Sequence, residues 1–360
     1  MEKILNIEDK KWLGSSKPII ISGPCSAETE EQFHETVKQI ADKKLANVLR
    51  AGIWKPRTRP NSFEGVGEVG LKWLRDAGNS VGLPVSTEVA NAKHVEACLK
   101  AGIDILWLGA RTTVNPFSVQ EIADALKGVD VPVLVKNPIN PDLNLWIGAL
   151  ERINKAGINK IGAIHRGFST FEKTVYRNVP KWEIPIELKR LFPELPMICD
   201  PSHIAGKREL LELVSQKALD LDMDGLMIES HRDPSVALSD AAQQVTPNGL
   251  EELINNLIVR SVKSDNDQFK SSLDKLRQNI DLIDDEIIQK LADRMAVVNE
   301  IGVFKKNNEV TVLQVKRWDE IIKKRLDDAS QLGLEGDFVK GVLEIIHKAS
   351  IKRQMDIMNQ

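Results

Sequence analysis

The sequence predicts an α/β fold, a (β/α)8 TIM barrel, followed by an all-α helical domain. Eight short apolar runs recur between residue 18 and about residue 231, and amphipathic segments separate them. Strands that are apolar on both faces and alternate with helices pair in parallel. Nearly every run ends in a residue that can bind a metal or an anion, and the active site of such a barrel lies at those strand ends. After about residue 261 the apolar pattern is helical throughout.

The eight runs read PIIISGPC, NVLRAG, PVSTEV, ILWLGA, PVLVKN, KIGAIHR, PMICDPSH and GLMIESH. The reactive residues at their ends are Cys25, Arg50, Glu88, Arg111, Lys136, Arg166, His203 and Glu229. An open doubly wound sheet is the structural alternative, but it rarely uses eight consecutive strand ends as ligands.

The segments between the strands predict amphipathic helices, among them residues 30–43, 92–101 and 210–219. Thr29 is the expected cap of the first helix. Gly78, Gly102 and Gly157 are the expected helix stops, because glycine adopts the left-handed conformation that ends many helices.

Composition restricts the class of protein. A length of 360 residues allows two or more domains, and a hydrophobic content of 42% is that of a globular chain. A formal net charge of −3 gives no reason to expect nucleic acid or a membrane as a partner. The sequence has neither a membrane-spanning apolar run nor a signal-peptide core, and its three cysteines do not form a disulfide framework. A reduced, cytoplasmic protein is therefore expected.

The chain divides in the sequence into a barrel over residues 1–260, a polar linker over 261–271 and a helical domain over 272–360. The first helix of that domain has apolar residues at helical spacing and continues to about residue 304. Such a helix is too long for one compact layer, so we expect it to pack against a second copy of the chain. Two further helices are predicted, over residues 314–329 and 337–358.

Four residues at neighbouring strand ends offer ligands for one divalent ion: Cys25, His203, Glu229 and Asp240. Each has an ordinary structural interpretation, since a cysteine is most often buried packing and an isolated acid is most often solvated. Their joint placement at one face of the barrel favours a metal site.

Six cations follow the strands: Arg50, Lys55, Arg57, Arg111, Lys136 and Arg166. Gathered at one face they would repel one another unless anions lay between them. Arginine suits phosphate and carboxylate because its planar fork donates paired hydrogen bonds. The site therefore favours a substrate with more than one anionic group, and Arg57 with Thr58 forms a plausible phosphate clamp.

Five short motifs in a fixed order resemble 3-deoxy-D-arabino-heptulosonate 7-phosphate (DAHP) synthase of type I. They are GPCSAE, RAGIWKPRT, GART, DPSH and the run from MIES to ALSD, and the likeness covers residues 18 to about 250. This family condenses phosphoenolpyruvate with erythrose 4-phosphate.

The resemblance implies a role for each matching residue. The metal, for which Mn²⁺ is expected, would be held by Cys25, His203, Glu229 and Asp240. The phosphoenolpyruvate carboxylate would be surrounded by Arg50, Lys55 and Lys136, and its phosphate held by Arg111 and Arg166. Arg57 and Thr58 would bind the erythrose phosphate. Lys55 would assist proton transfer, and Glu88 would orient a water molecule.

A sister reaction on arabinose 5-phosphate, 3-deoxy-D-manno-octulosonate 8-phosphate synthesis, shares this barrel. Its loop typically has Ala-Asn where this chain has Pro56 before Arg57, so KPRT favours the four-carbon sugar.

The helical domain has a constellation of its own: Arg277, Arg294, Lys305, Arg317, Ser350 and Gln354. A solvated helix face or a dimerising coiled coil would explain it from the pattern alone. However, the run from LRQNIDLIDDE to GVFK resembles the first helix of the all-helical chorismate mutases, and the likeness covers about residues 272–358.

That resemblance implies an intertwined homodimer that rearranges chorismate to prephenate. Arg277, from the partner subunit, and Arg294 would bind carboxylates, while Lys305 and Gln354 would reach the ether oxygen. Arg317 and Ser350 match the remaining binding residues. The chain departs from the family at two positions that often hold acids, which here are Gln314 and Trp318.

Two other interpretations remain open from the sequence. The helical domain could be mainly a module that senses prephenate or chorismate and dimerises, regulating an active barrel. Alternatively, the chain could be a catalytically inactive scaffold that binds metal, although its intact set of site residues argues against this.

Overall fold

The computed structural model describes residues 6–14, 16–55, 62–261 and 265–359. The chain divides into two compact units, Met1–Val262 and Lys263–Gln360. Of the helices in the described ranges, none is long and apolar enough to span a membrane.

The first unit is a closed barrel of eight parallel strands in sequence order. The strands are β1 (Ile19–Gly23), β2 (Val48–Arg50), β3 (Val85–Val89), β4 (Ile105–Leu108), β5 (Val133–Lys136), β6 (Ile161–His165), β7 (Met197–Cys199) and β8 (Gly225–Glu229). Pairing of β1 with β8, from Ile19 opposite Gly225 to Gly23 opposite Glu229, closes the barrel. The predicted (β/α)8 barrel is confirmed, and the open sheet is excluded.

Helices connect the strands on the outside of the barrel. They are α1 (Glu30–Asp42), α2 (Val69–Val81), α3 (Ala92–Lys100), α4 (Ala110–Thr113), α5 (Pro116–Ala125), α6 (Leu143–Lys155), α7 (Glu183–Leu191), α8 (Pro201–Ala205), α9 (Leu211–Asp220) and α10 (Pro247–Asn256). Thr29 caps α1 as predicted, since its side chain accepts a hydrogen bond from the Gln32 N–H.

One predicted helix stop is wrong. Gly78 lies inside α2, which continues to Val81 and ends before Gly82, whose φ is +68°. Gly78 faces the barrel, and a Cβ there would overlap the side chain of Val85. The glycine is thus required for close packing of a helix on a strand, which local sequence signals do not distinguish from a helix end.

Two apolar layers hold the barrel together. The outer layer lies between strands and helices and includes the fully buried Phe33, Leu74 and Trp146. The inner layer fills the barrel with Ile21, Val48, Trp107, Leu134, Met227 and their neighbours. Because the strands are parallel and closed, their C-terminal ends all reach the same rim, and the reactive residues predicted there are gathered around it.

The second unit contains α11 (Asp267–Asn307), α12 (Val315–Gln331) and α13 (Gly336–Met358). With 41 residues, α11 extends about 60 Å at 1.5 Å per residue. Its apolar residues Leu276, Ile280, Ile283 and Ile287 are each more than half exposed. A chain does not ordinarily leave so long an apolar row in water, so this unit has an uncovered face.

The helical unit begins earlier than the sequence predicts. Helix α11 starts at Asp267, inside the predicted linker of residues 261–271, and Asn266 caps it by accepting from the Phe269 N–H. Most of the residues that follow the cap are polar and exposed, and polarity alone does not separate an exposed helix from a linker.

We expect Gly225→Ala to destabilise the barrel by about 1–3 kcal/mol, because overpacking a dense core forces the backbone to shift. A Cβ at Gly225 would overlap the Ile19 carbonyl where β8 closes on β1. Gly148→Ala is the matched control, since Gly148 lies in α6 with nothing within 4 Å of its Cβ position. Thermal unfolding should show a lower melting temperature for Gly225→Ala than for wild type and no decrease for Gly148→Ala. Equal melting temperatures of the two variants would contradict the strand packing.

Candidate active site

A cavity of about 770 Å³ opens at the rim where the strands end. Its described wall consists of Lys55, Ser62, Glu88, Ala110, Arg111, Lys136, Ile139, Arg166, Ser169, Arg177, Asn178, His203 and Asp240. Five of these are lysine or arginine and two are acids, so cations dominate the wall. The cavity suits an anionic ligand.

A candidate metal centre lies at the base of this cavity. Ligand atoms of Cys25, Glu229 and Asp240 all lie within 4.8 Å of one another. Cys25 follows the end of β1, where Gly23 has a φ of +152° and any Cβ would overlap the Arg50 carbonyl. The tight turn therefore requires glycine and directs the thiol inward.

His203 borders this group of three. Its Nε2 lies 3.9 Å from Glu229 Oε1, while its Nδ1 lies 2.8 Å from Asp200 Oδ2. A carboxylate on one imidazole nitrogen orients the ring and leaves the other nitrogen for a metal. Burial lowers the pKa of His203, which favours the neutral form that a metal ligand needs. A thiol, an imidazole and two carboxylates fit a divalent transition ion.

The protein alone keeps the thiol of Cys25 protonated. Burial, with Glu229 adding to it, raises the pKa of Cys25 to about 12. Lys55 opposes this effect with its Nζ 3.1 Å from the sulfur. A bound cation would replace the thiol proton, as metal binding to cysteine does in general.

Two consecutive glutamines and one arginine brace the centre. Gln243 donates to Glu229 Oε2 over 2.7 Å and accepts from Arg177 Nη1, also over 2.7 Å. The same guanidinium reaches Asp240 Oδ1 at 3.1 Å. Gln244 accepts from the Cys25 N–H and donates to the Ser239 carbonyl. These bonds tie the turn that carries Cys25 to the segment that carries Asp240.

Sequence reasoning assigned no role to Arg177, Asp200, Gln243 or Gln244. Arg177 lies in the long segment between β6 and α7, so the strand-end pattern could not find it. Asp200 was visible in DPSH and the two glutamines follow ALSD after two alanines, but nothing in the sequence showed where their side chains point.

The predicted cations occupy different depths. Lys55, Arg111, Lys136 and Arg166 lie on the cavity wall. Arg50 is buried, 1% exposed, and its Nη1 lies 2.6 Å from Glu229 Oε1. It therefore lies beside the candidate metal centre, and its expected contact with a substrate carboxylate stays a prediction. Arg57 and Thr58 lie outside the described residues.

The surroundings of Arg166 disfavour its positive charge, although the carboxylates of Asp200 and Glu88 raise its pKa. Burial lowers its pKa to about 10, and the nearby Arg177 and Arg111 contribute in the same direction. An anion between these guanidiniums would relieve both the desolvation and the mutual repulsion.

Glu88 is held from two sides. Its Oε2 accepts from Trp107 Nε1 over 3.0 Å, and its carboxylate covers Gly109 so closely that a Cβ there would overlap it. Gly109 in the GART motif thus makes room for the carboxylate on the cavity wall.

In the helical unit, three of the predicted residues meet between α11 and α13. Arg294 Nη1 donates to Ser350 Oγ over 2.6 Å, and Gln354 is buried one turn along α13 from Ser350. Lys305 Nζ donates to the Val312 carbonyl over 2.6 Å, and burial lowers its pKa. Arg294 and Lys305 lie on one helix eleven residues apart, which is three turns.

The other predicted residues of this unit lie elsewhere. Arg277 and Arg317 are exposed and pair with Asp274 at 3.5 Å and Glu320 at 3.2 Å. Trp318 stacks on His347 of α13, with ring centroids 3.8 Å apart. Gln314 stands at the N-cap of α12 and makes no side-chain capping bond.

Comparison with known proteins gives a match for each unit. Residues 3–264 match the model of the DAHP synthetase I family, and residues 276–355 match that of chorismate mutase type II. A phospho-2-dehydro-3-deoxyheptonate aldolase of Thermotoga maritima is 32% identical over 256 residues, which are 71% of this chain and 73% of that protein. A 2-dehydro-3-deoxyphosphooctonate aldolase of Desulfotalea psychrophila is 29% identical, over 68% of this chain and 91% of that protein.

Two solved structures are similar to the barrel of this chain. The crystal structure of the phospho-2-dehydro-3-deoxyheptonate aldolase (DAHP synthase) of Thermotoga maritima has a TM-score of 0.60 and 32% identity, over 68% of this chain and 70% of that one. A truncated form of 3-deoxy-D-arabino-heptulosonate 7-phosphate synthase from the same organism has a TM-score of 0.58 and 29% identity, over 72% and 87% of the chains.

We expect Gln243→Met to weaken divalent-metal binding about tenfold, because Glu229 loses a buried hydrogen bond that orients it. Gln216→Met is the control, since the Gln216 amide also makes several hydrogen bonds, to Asp220 and Ile258, away from the cavity. Titration of metal-free protein with Co²⁺ measures the affinity. The same dissociation constant in both variants would contradict the bracing role of Gln243.

Proposed function

The chain belongs to the DAHP synthetase I family and carries a chorismate mutase type II domain, and on that premise we propose a bifunctional enzyme with one active site in each unit. The barrel condenses phosphoenolpyruvate with erythrose 4-phosphate to give DAHP. The helical domain rearranges chorismate to prephenate. One observation supports the barrel assignment above all: a candidate metal-ligand set borders a cavity whose charged wall residues are mostly cations.

The charge of the wall fits the charge of the substrates. Phosphoenolpyruvate carries a carboxylate and a phosphate, and erythrose 4-phosphate carries a second phosphate. Lys55 and Lys136 take the carboxylate in this proposal, and Arg111 and Arg166 take the phosphate of phosphoenolpyruvate. Arg57 and Thr58 are proposed for the sugar phosphate on the KPRT motif alone. Arg50, buried against Glu229, holds that metal-site carboxylate in place.

The metal-site residues Cys25, His203, Glu229 and Asp240 would hold one divalent ion, for which Mn²⁺ is proposed. When bound, it supplies Lewis acidity for the aldehyde oxygen of the sugar. Lys55 lies between the sulfur of Cys25 and the cavity, where its ammonium can transfer a proton to the developing oxygen. Glu88, fixed by Trp107 and facing the cavity, orients the water that attacks the phosphoenolpyruvate carbon before phosphate leaves.

A chelator should abolish DAHP formation, and Mn²⁺ should restore it. Cys25→Ser should weaken metal binding, because a hydroxyl is a much poorer ligand than a thiolate. Cys98→Ser is the control, since Cys98 is equally buried but lies on α3 in the outer core layer. Product formation and bound metal are measured on the same samples. Full activity in rigorously metal-free protein would contradict the metal proposal.

The sister reaction is tested in the same assay. Arabinose 5-phosphate in place of erythrose 4-phosphate should give little product, because KPRT favours the shorter sugar. A preference for arabinose 5-phosphate would instead support octulosonate 8-phosphate synthesis.

The helical domain needs neither a nucleophile nor a metal for its proposed reaction. The Claisen rearrangement is accelerated when a dianion is held compactly and the charge on the breaking ether bond is stabilised. In this proposal Arg294 binds a carboxylate of chorismate, while Lys305 and Gln354 donate hydrogen bonds to the ether oxygen. Arg317 and Ser350 are proposed as further binding residues.

Support for a homodimer comes from the uncovered face of α11. A surface groove of about 580 Å³ is lined by residues of this one helix, among them Ile283, Ile287, Leu291 and Arg294. A second copy of α11 would cover the apolar row and could bring Arg277 of the partner to the same groove. The site would then be complete only in the dimer.

We expect Arg294→Ala to lower mutase kcat/KM about 100-fold, since a charge-assisted contact to the substrate contributes about 3 kcal/mol. Arg353→Ala is the matched control, because Arg353 also joins α13 to α11, donating to Asn299 over 2.7 Å. DAHP synthesis should be unchanged in both. If prephenate binds to wild-type protein but chorismate is never turned over, the helical domain is a regulatory sensor and the mutase assignment is wrong.

A further inference from the structure

Trp107 is the largest fully buried side chain of the barrel interior, and it contacts three residues of the proposed synthase site. The other inward-facing residues of this layer, such as Ile21, Leu134 and Met227, are aliphatic. An aliphatic residue would leave part of this space empty and would offer neither an aromatic face nor a hydrogen-bond donor. The contacts of the indole are therefore the feature that distinguishes this position.

The ring face lies near two cations. The guanidinium carbon of Arg50 is 5.1 Å from the ring centroid, and Nζ of Lys136 is 5.7 Å from it. Both distances are within the range of an attractive cation–π contact. An aromatic ring attracts cations through its quadrupole without adding net negative charge. Lys136 also pairs with the Asp200 carboxylate over 2.8 Å, and the ring adds a second contact to its ammonium without adding further negative charge near an anionic substrate.

The N–H at the edge of the indole makes a separate contact, with Glu88. Trp107 Nε1 donates to Glu88 Oε2 over 3.0 Å. A buried indole N–H needs an acceptor, and a carboxylate that receives this bond is confined to one orientation. Glu88 is also confined by the backbone of Gly109, so the donor and the glycine together fix the carboxylate on the cavity wall.

We propose that Trp107 is a positioning residue of the synthase site, whose ring places Arg50 and Lys136 and whose N–H places Glu88. This inference rests on the proposed synthase activity. It assigns different consequences to the two parts of one side chain: the ring governs phosphoenolpyruvate binding through Lys136, and the N–H governs turnover through Glu88.

Two substitutions separate these parts. Trp107→Phe keeps an aromatic face and removes the N–H, so kcat should fall about tenfold while the dissociation constant of phosphoenolpyruvate stays within about twofold. Trp107→Leu removes both, so the dissociation constant should also rise about tenfold. If Trp107→Leu does not fold, Trp107→Met, whose longer and more flexible side chain adapts to the space, takes its place. Phosphoenolpyruvate binding is measured calorimetrically and turnover is measured by DAHP formation.

Trp146→Phe is the matched control. Trp146 is also fully buried, and its N–H donates to the Val135 carbonyl over 3.1 Å in the outer core layer. Loss of this hydrogen bond in Trp146→Phe should lower the melting temperature about as much as Trp107→Phe does. It should leave kcat and phosphoenolpyruvate binding unchanged. A double variant gives a second test, because Trp107→Phe should add little to the kcat loss of Glu88→Gln if the N–H acts through Glu88.

The outcomes are distinct. If Trp107→Phe turns over like wild type, or if both phenylalanine variants lose kcat in proportion to their melting temperatures, Trp107 only fills the core and the inference is overturned. If wild-type protein makes no DAHP, the proposed function itself has failed. In that case, an unchanged phosphoenolpyruvate dissociation constant in Trp107→Leu, or in its substitute, would overturn the part of the inference that concerns the ring.

Discussion

The barrel site depends on the buried ion pair between Arg50 and Glu229, whose Nη1 and Oε1 atoms lie 2.6 Å apart. Taking two charges out of water is expensive, and their attraction compensates only if the remaining polar atoms are also bonded. Here Gln243 donates to the second oxygen of Glu229, and Ser202 Oγ accepts from its backbone N–H. Removing one partner of such a pair typically costs about 3–5 kcal/mol, so the surrounding residues are held in place by the need to satisfy it.

The metal centre is built outward from this pair. Gln243 connects Glu229 to Arg177, and Arg177 reaches Asp240. A second pair, Lys136 with Asp200 at 2.8 Å, orients His203 through the same carboxylate. The candidate ligands are therefore already arranged by contacts within the protein. Such preorganisation suits a site that must act on charged substrates, because little rearrangement is left for the moment of reaction.

The helical unit follows a different principle. Its candidate residues Arg294, Ser350 and Gln354 meet between α11 and α13, but Arg277 is exposed on the long helix. The apolar row beside it is also exposed. In the barrel, closure of the sheet completes the site within one chain; in the helical unit, completion is proposed to need a second copy. Trp318 stacked on His347 is a feature of this chain at a position where the resembled family often has an acid.

The sequence by itself determined the barrel, its eight strands and the residues that end them, because short runs that are apolar on both faces, alternating with helical periods, are local signals. It also determined the two families, because the motifs stand in a fixed order. Only the tertiary structure decided how deeply each site residue is buried and which residues it contacts. Arg50 and Lys136 look alike in the sequence and both are buried, yet Arg50 pairs with Glu229 at the candidate metal centre while Lys136 pairs with Asp200 and lines the cavity. Arg177, Gln243 and Trp107 gain their roles from side chains that are distant along the chain. No local signal specifies such contacts, because they exist only after the sheet has closed.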